Sequence, residues 1–229
     1  MAKNDFSAEQ ATNEEQKCLC VLVLDVSGSM EGEAIKALNE GLQNFYSQID
    51  DDVTTSQRVE VSLITFNHIV KTVQEPALVE KFTMPKLKAD GSTAMVNAVN
   101  DAIDKVQARK QWYKDNNQAY YRPWIILMTD GEPDSDQDVD GLAQRIKADM
   151  AAKKYVFLPI GVENANMAIL DKITGLANGK KMGPMKLKGL NFTSFFQWLS
   201  ASMGTVVTSE EGQTVNMPST DDWLAAFKI

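Results

Sequence analysis

The stretch Cys18-Leu19-Cys20-Val21-Leu22-Val23-Leu24 is apolar at every position and stops at Asp25. Side chains alternate between the two faces of a strand, so a run with no polar position must be covered on both. That is the pattern of a central strand in a parallel sheet, which needs helices on each side. The rest of the chain supplies them. After Asp25-Val26-Ser27-Gly28-Ser29, the residues Ile35, Leu38, Leu42, Phe45 and Ile49 recur at intervals of 3, 4, 3 and 4, one stripe of a helix packed on a sheet. Arg58 to Phe66 reads as a second strand, and Asn67-His68 as a tight turn into a short return strand, Ile69 to Val73. A loop with Pro76 and Pro85 leads to Ala89-Asp90-Gly91-Ser92-Thr93. Met95, Val99, Ala102, Ile103 and Val106 then mark a second helix. A polar insert, Lys114 to Arg122, precedes the strand Trp124 to Met128, which ends at Thr129-Asp130-Gly131. Val139, Leu142, Ile146 and Met150 form a third helix face, Tyr155 to Val162 a further strand and Met167 to Ile173 a short helix. Met182 to Leu187 fits an edge strand, since Pro184 argues against a central place. Phe192, Phe195, Phe196, Leu199 and Met203 give the last helix face.

Strands alternating with helices predict a doubly wound α/β domain, here over residues 17–204. Neither a second core nor a repeat at a fixed period is visible. Residues 1–16 are polar and expected to be mobile. Residues 205–229 turn Ser/Thr/Glu-rich and end in Trp223, Leu224 and Phe227, as either a pinned strap or a detachable peptide. Apolar residues at 44% and charged residues at 24% exclude disordered, collagen-like and membrane chains. A net charge of −8 argues against a general affinity for nucleic acid or anionic lipid. No apolar leader and no run near the roughly 18 apolar residues of a membrane span are present, so the expected location is cytoplasmic. Cys18 and Cys20 share one strand face, which disfavours a disulfide; they are expected as buried free thiols, with a redox or metal pair as the alternative. His68 is the sole histidine, which removes most chemistry built on His pairs.

Open α/β sheets bind ligands beyond the carboxyl ends of their strands, where the winding reverses. Asp25, Ser27 and Ser29, then Thr93, then Asp130 all fall at that edge. Two carboxylates and three hydroxyls are hard oxygen donors, suited to Mg²⁺, Mn²⁺ or Ca²⁺ and not to zinc or copper. With so few acids, a bound Mg²⁺ stays electrophilic and keeps a position for an outside oxygen. Helices starting near Glu33 and Thr93 add N-terminal dipole ends that favour an incoming anion. The competing reading makes these residues helix caps and turn formers. Five of them in three separate loops, each after a suitable strand or before a helix, favour the metal. Asp136-x-Asp138-x-Asp140-Gly141 matches half a calcium loop, but Lys147 stands where the bidentate Glu belongs, so the run reads as an acidic helix start. His68 reads as a turn residue.

An enzyme is the first rival. Phosphoryl transfer lacks its Asp-x-Asp, and Gly175-Leu-Ala-Asn-Gly179-Lys180 fails the spacing of a nucleotide loop. A Ser–His–Asp triad would have to recruit His68 from an edge turn. The second rival is a structural subunit with a vestigial metal site.

Asp25-Val26-Ser27-Gly28-Ser29, Gly91-Ser92-Thr93 and Thr129-Asp130-Gly131 resemble the metal-ion-dependent adhesion site of von Willebrand factor A domains. The resemblance implies a six-stranded, mostly parallel sheet with one antiparallel edge strand. It implies Ser27, Ser29 and Thr93 as direct ligands of Mg²⁺, with Asp25 and Asp130 acting through water, and a partner protein whose Asp or Glu completes the coordination. Within the family, Val21 to Ala34, Tyr121 to Pro133 and Phe195 to Ser202 resemble the TerY-like proteins of bacterial tellurite-resistance and stress clusters. That likeness implies association with a Ser/Thr kinase and a metal-dependent phosphatase, and hence a phosphorylatable binding module.

Overall fold

The computed structural model describes residues 4–11, 13–81, 84–177, 180–181, 183–210, 213, 216–222 and 224. In chain order its elements are β1 (Cys18–Asp25), α1 (Glu33–Asp51), α2 (Val53–Arg58), β2 (Val59–Phe66), β3 (Val70–Leu78), α3 (Met95–Asp115), β4 (Trp124–Thr129), α4 (Val139–Ala151), β5 (Val156–Gly161), α5 (Met167–Lys172), β6 (Leu176–Ala177), β7 (Lys180–Lys181), β8 (Met185–Lys186) and α6 (Phe192–Val207). Six strands form one sheet in the order β3-β2-β1-β4-β5-β8, while β6 and β7 make a separate ribbon. All neighbours in the large sheet run parallel except β2 and β3. This is the expected doubly wound α/β sheet with one antiparallel edge strand.

Both faces of β1 are dry, as its unbroken apolar run requires. Cys18, Cys20, Leu22 and Leu24 enter one core with Leu38, Leu42 and Phe45 of α1 and the aromatic face of α6. Leu19, Val21 and Val23 enter the other core with Val99, Ile103 and Val106 of α3 and Ile146 of α4. Each fully buried Leu or Phe of this kind contributes about 1.5–3 kcal/mol. The helices α1 and α6 approach closely because Gly41 has no side chain: a Cβ there would stand 2.8 Å from the Phe196 ring. Cys18 and Cys20 are buried free thiols.

Several boundaries differ from the sequence expectations. The return strand runs on to Leu78 and takes in Pro76, which an edge strand tolerates because one row of its N–H groups needs no partner. Its register with β2 shifts around Leu63, and there the Ser62 hydroxyl donates to the Gln74 carbonyl at 2.8 Å. α2 has no apolar period to announce it; Asp52 caps it by accepting from Thr55 N at 2.8 Å. α3 continues well past Val106. The edge strand β8 has only two residues, and Met182, its expected start, lies outside the described residues.

Polarity alone predicted a mobile N-terminal segment, yet Phe6 is buried against Trp112 and Tyr113. Arg109 beneath it pairs with Glu9 at 2.6 Å and with the buried Glu60 at 2.7 Å, so charges on the segment find partners in the body. At the other end the Trp198 indole donates to the Pro218 carbonyl at 3.0 Å, and the Asn191 amide to the Asp222 carbonyl at 2.9 Å. Leu224 bridges to Leu187, so the described part of the tail lies as a strap beside α6. Trp223 and Phe227 lie outside the described residues. No helix among the described residues is long and apolar enough to cross a membrane.

Candidate metal centre

From β1 the chain goes to β2 on one side and returns to β4 on the other, so the winding reverses at the carboxyl ends of β1 and β4. Asp25 closes β1 at that point and is fully buried. Its Oδ1 accepts from Ser27 N at 2.8 Å and its Oδ2 from the Thr129 hydroxyl at 2.5 Å. Burial pushes the Asp25 carboxyl above its ordinary range; bonds from Ser27 and Thr129 oppose this, and the nearby Asp130 charge adds to it. The following turn brings Ser27 Oγ to 3.1 Å from Ser29 Oγ, and Ser29 Oγ donates to Asp130 Oδ1 at 2.7 Å. Two backbone bonds tie this loop to the next: Gly28 N donates to Gly91 O at 2.9 Å, and Asp90 N to Val26 O at 2.9 Å.

Thr93 completes the set from the loop before α3 and is 8% exposed. A Cβ on Gly131 would stand 3.5 Å from Thr93 Oγ1 and 3.8 Å from Asp25 Oδ2, so the missing side chain leaves open the place where three loops meet. All five residues singled out from sequence, Asp25, Ser27, Ser29, Thr93 and Asp130, therefore converge.

The donor set fits a hard cation. Asp25 and Asp130 repel one another, and among the described residues neither forms an ion pair with a base. Thr93 Oγ1 makes no hydrogen bond among the described residues and is not one of the buried polar atoms left without a partner, so the hydroxyl keeps access to solvent at the site. No group of three or more His, Cys, Asp or Glu side chains is placed to hold a metal among the described residues. The present set lies outside that description because three of its five donors are hydroxyls.

Three further residues build the site without being visible as donors. Thr129 orients Asp25 and receives Gly131 N at 3.2 Å. Asp134 accepts from the Ser92 hydroxyl at 3.0 Å while its own N–H donates to Thr93 O at 3.1 Å. Gln137 donates to Thr93 O at 2.6 Å and accepts from Val96 N at 2.7 Å, capping α3, whose own N-cap Ala94 has no side-chain acceptor. Thr129 stood within the Thr-Asp-Gly motif, but nothing local marks Asp134 or Gln137. Asp138 caps α4 by accepting from Gly141 N at 2.8 Å, and Asp140 pairs with Lys172 at 2.8 Å, so the acidic run is a helix start. His68 lies in the β2–β3 turn with its imidazole over Gly91.

The family model of the von Willebrand factor type A domain matches residues 20–183. No curated protein sequence matches the chain. Among solved structures, the ArnB paralog VWA2 from Sulfolobus acidocaldarius is 16% identical with a TM-score of 0.52, covering 83% of this chain and 46% of its own. Proximal thread matrix protein 1 of the mussel byssus, described with a zinc-occupied metal-ion-dependent adhesion site, is 13% identical with a TM-score of 0.55, over 83% of this chain and 48% of its own. The pilus adhesin SpaC from Lactobacillus rhamnosus GG is 14% identical with a TM-score of 0.63, over 85% of this chain and 31% of its own. The chain thus spans half or less of these proteins, and at such identities the likeness is one of fold. The matched span runs from within β1 to beyond β5 and holds all three loops of the centre, and the chain belongs to the von Willebrand factor type A domain family.

Proposed function

We propose that this chain is a metal-dependent protein-binding module and not an enzyme. Asp25, Ser27, Ser29, Thr93 and Asp130 would hold Mg²⁺, with Mn²⁺ or Ca²⁺ as substitutes, the three hydroxyls directly and the two carboxylates through water. When bound, the ion supplies an electrophilic position for an Asp or Glu carboxylate of a partner protein. The observation that carries this reading is the convergence of two mutually repelling carboxylates on an unpartnered Thr93 hydroxyl. The mussel protein's zinc-occupied site on the same fold supports a divalent ion at this place, without favouring Mg²⁺, and runs against the expectation that such a donor set excludes zinc. Catalysis finds less support: Ser27 and Ser29 bond to each other, Ser29 donates to Asp130, and His68 bonds to neither serine among the described residues. Titration calorimetry with Mg²⁺ and Mn²⁺ tests the centre. Thr93→Ala should bind about tenfold more weakly or worse, with an unchanged melting temperature in EDTA. Equal titrations for the two proteins would remove the site.

The stretches Val21 to Ala34, Tyr121 to Pro133 and Phe195 to Ser202 support a finer proposal: a TerY-type role in a cytoplasmic stress or tellurite-resistance system, with a Ser/Thr kinase and a metal-dependent phosphatase as partners. Phosphate on Ser27, Ser29 or Thr93 would remove a neutral ligand and fill the partner's place. Mass spectrometry of the chain after treatment with such a kinase should find phosphate in these loops or at Thr208 or Ser209. An unmodified chain would end this part of the proposal.

A further inference from the structure

We propose that the carboxylate this centre receives sits in a basic setting: an Asp or Glu of a protein segment with Lys or Arg on its flank, the basic side meeting the loops after β4 and β5. The inference rests on the metal-site reading above and specifies its partner. The loops at this edge, residues 26–32, 67–69, 90–94, 130–138, 162–166 and 187–191, carry eight carboxylates against a single base, Lys188. Among the described residues none of these acids takes part in a salt bridge; every acid that does so lies elsewhere. The acids are densest on one side, where Glu132, Asp136 and Glu163 are exposed. Glu132 is fixed there by the Asn166 amide at 2.7 Å, so the loops after β4 and β5 present their charge together. On the opposite side, at the β2–β3 turn, which carries no carboxylate, stands Ile69, 60% exposed.

A bare carboxylate approaching Thr93 would therefore meet repulsion over the whole distance of an approach, since the screening length is about 8–10 Å at ordinary ionic strength. Cations beside it reverse the sign of that interaction, raising the encounter rate and fixing the orientation. Ile69 gives the other flank an apolar contact. The unpartnered Thr93 hydroxyl marks where the carboxylate ends, and the acidic rim sets what must surround it.

Fluorescence anisotropy with two synthetic peptides of equal length tests this, both with one central Glu, one flanked by Lys and the other by Gly. In Mg²⁺ at low ionic strength the Lys-flanked peptide should bind about tenfold more tightly, as expected for two exposed charge pairs. The advantage should shrink with added salt, and EDTA or a central Gln should abolish binding. The double variant Glu132→Gln/Asp136→Asn should lose the preference while keeping wild-type metal calorimetry. Equal affinities, no binding by either peptide, a preference that survives in the double variant, or binding indifferent to EDTA would each overturn the inference. Metal titration separates the two levels. A protein that takes up no ion refutes the centre itself, whereas one that binds the ion and ignores the flanks refutes only this inference.

Discussion

Thr93 owes its position to side chains that touch no ion. Asp134 and Gln137 come from the loop after β4, fasten both sides of the Thr93 peptide, and so couple the third loop of the centre to the second. Asp134→Ala should lower metal affinity by about tenfold, the usual scale for a residue that orients a ligand. Because Asp134 is half-buried and lies outside the core, melting in EDTA should barely change. Asp134→Asn, which keeps an acceptor for Ser92, should lose less. Wild-type calorimetry for Asp134→Ala would show that Thr93 holds its place unaided. The difference in legibility between the two groups is physical. Asp25, Ser27 and Ser29 are spaced by one short turn, so their pattern is written locally. Asp134 acts across 41 residues on Thr93 and 42 on Ser92, and one sequence carries no trace of such a pairing.

Among the elements, β1 is the one whose surroundings its own letters dictate most completely. Its even positions place Cys18 and Cys20 in one core, where burial pushes the Cys18 thiol up to about 12 and the Cys20 thiol well above its ordinary value. The folded chain thus keeps protons that an unfolded thiol releases near about 8.5. This contribution to stability is fully present below that value and is lost as pH rises through about 12. The melting temperature should accordingly fall across this alkaline window, with a shallower slope in Cys18→Ala/Cys20→Ala. A thiol reagent at about pH 8 should label the chain only after denaturation, because the thiolate is the reactive form. Rapid labelling of the native protein would contradict the buried placement. Elements without such a period were harder to read. The Thr-Thr-Ser segment of α2 is fixed by its Asp52 cap, and the far turns of α3 are covered by Phe6 from another part of the chain. β3 runs through Pro76 only because it lies at an edge.

Taken as one body, the chain is held at the amino end of its sheet by charge and at the carboxyl end by hydroxyls. Arg109 lies within 4.1 Å of the Trp112 ring, between Glu60 on β2 and Glu9 on the N-terminal segment. Removing one partner from the buried Arg109–Glu60 pair typically costs about 3–5 kcal/mol. Glu9 meets Arg109 from an exposed position, and it is the buried Phe6 that ties the first residues to the fold despite their polar composition. Composition reads net balance, and pairing between distant charges is invisible to it. The carboxyl edge has a different history. Thr129 reaches Asp25 across 104 residues, and Ser29 reaches Asp130 across 101. Closing loops of that length is entropically expensive and slow, and contacts of this span form late. On a ribosome the Asp25 loop emerges long before Gly131 has been synthesised, and until then the donors are scattered along an open chain. A nascent or misassembled copy therefore offers neither an ion nor a partner anything to hold, and engagement of this centre reports that β1 and β4 have been brought side by side with the start of α3.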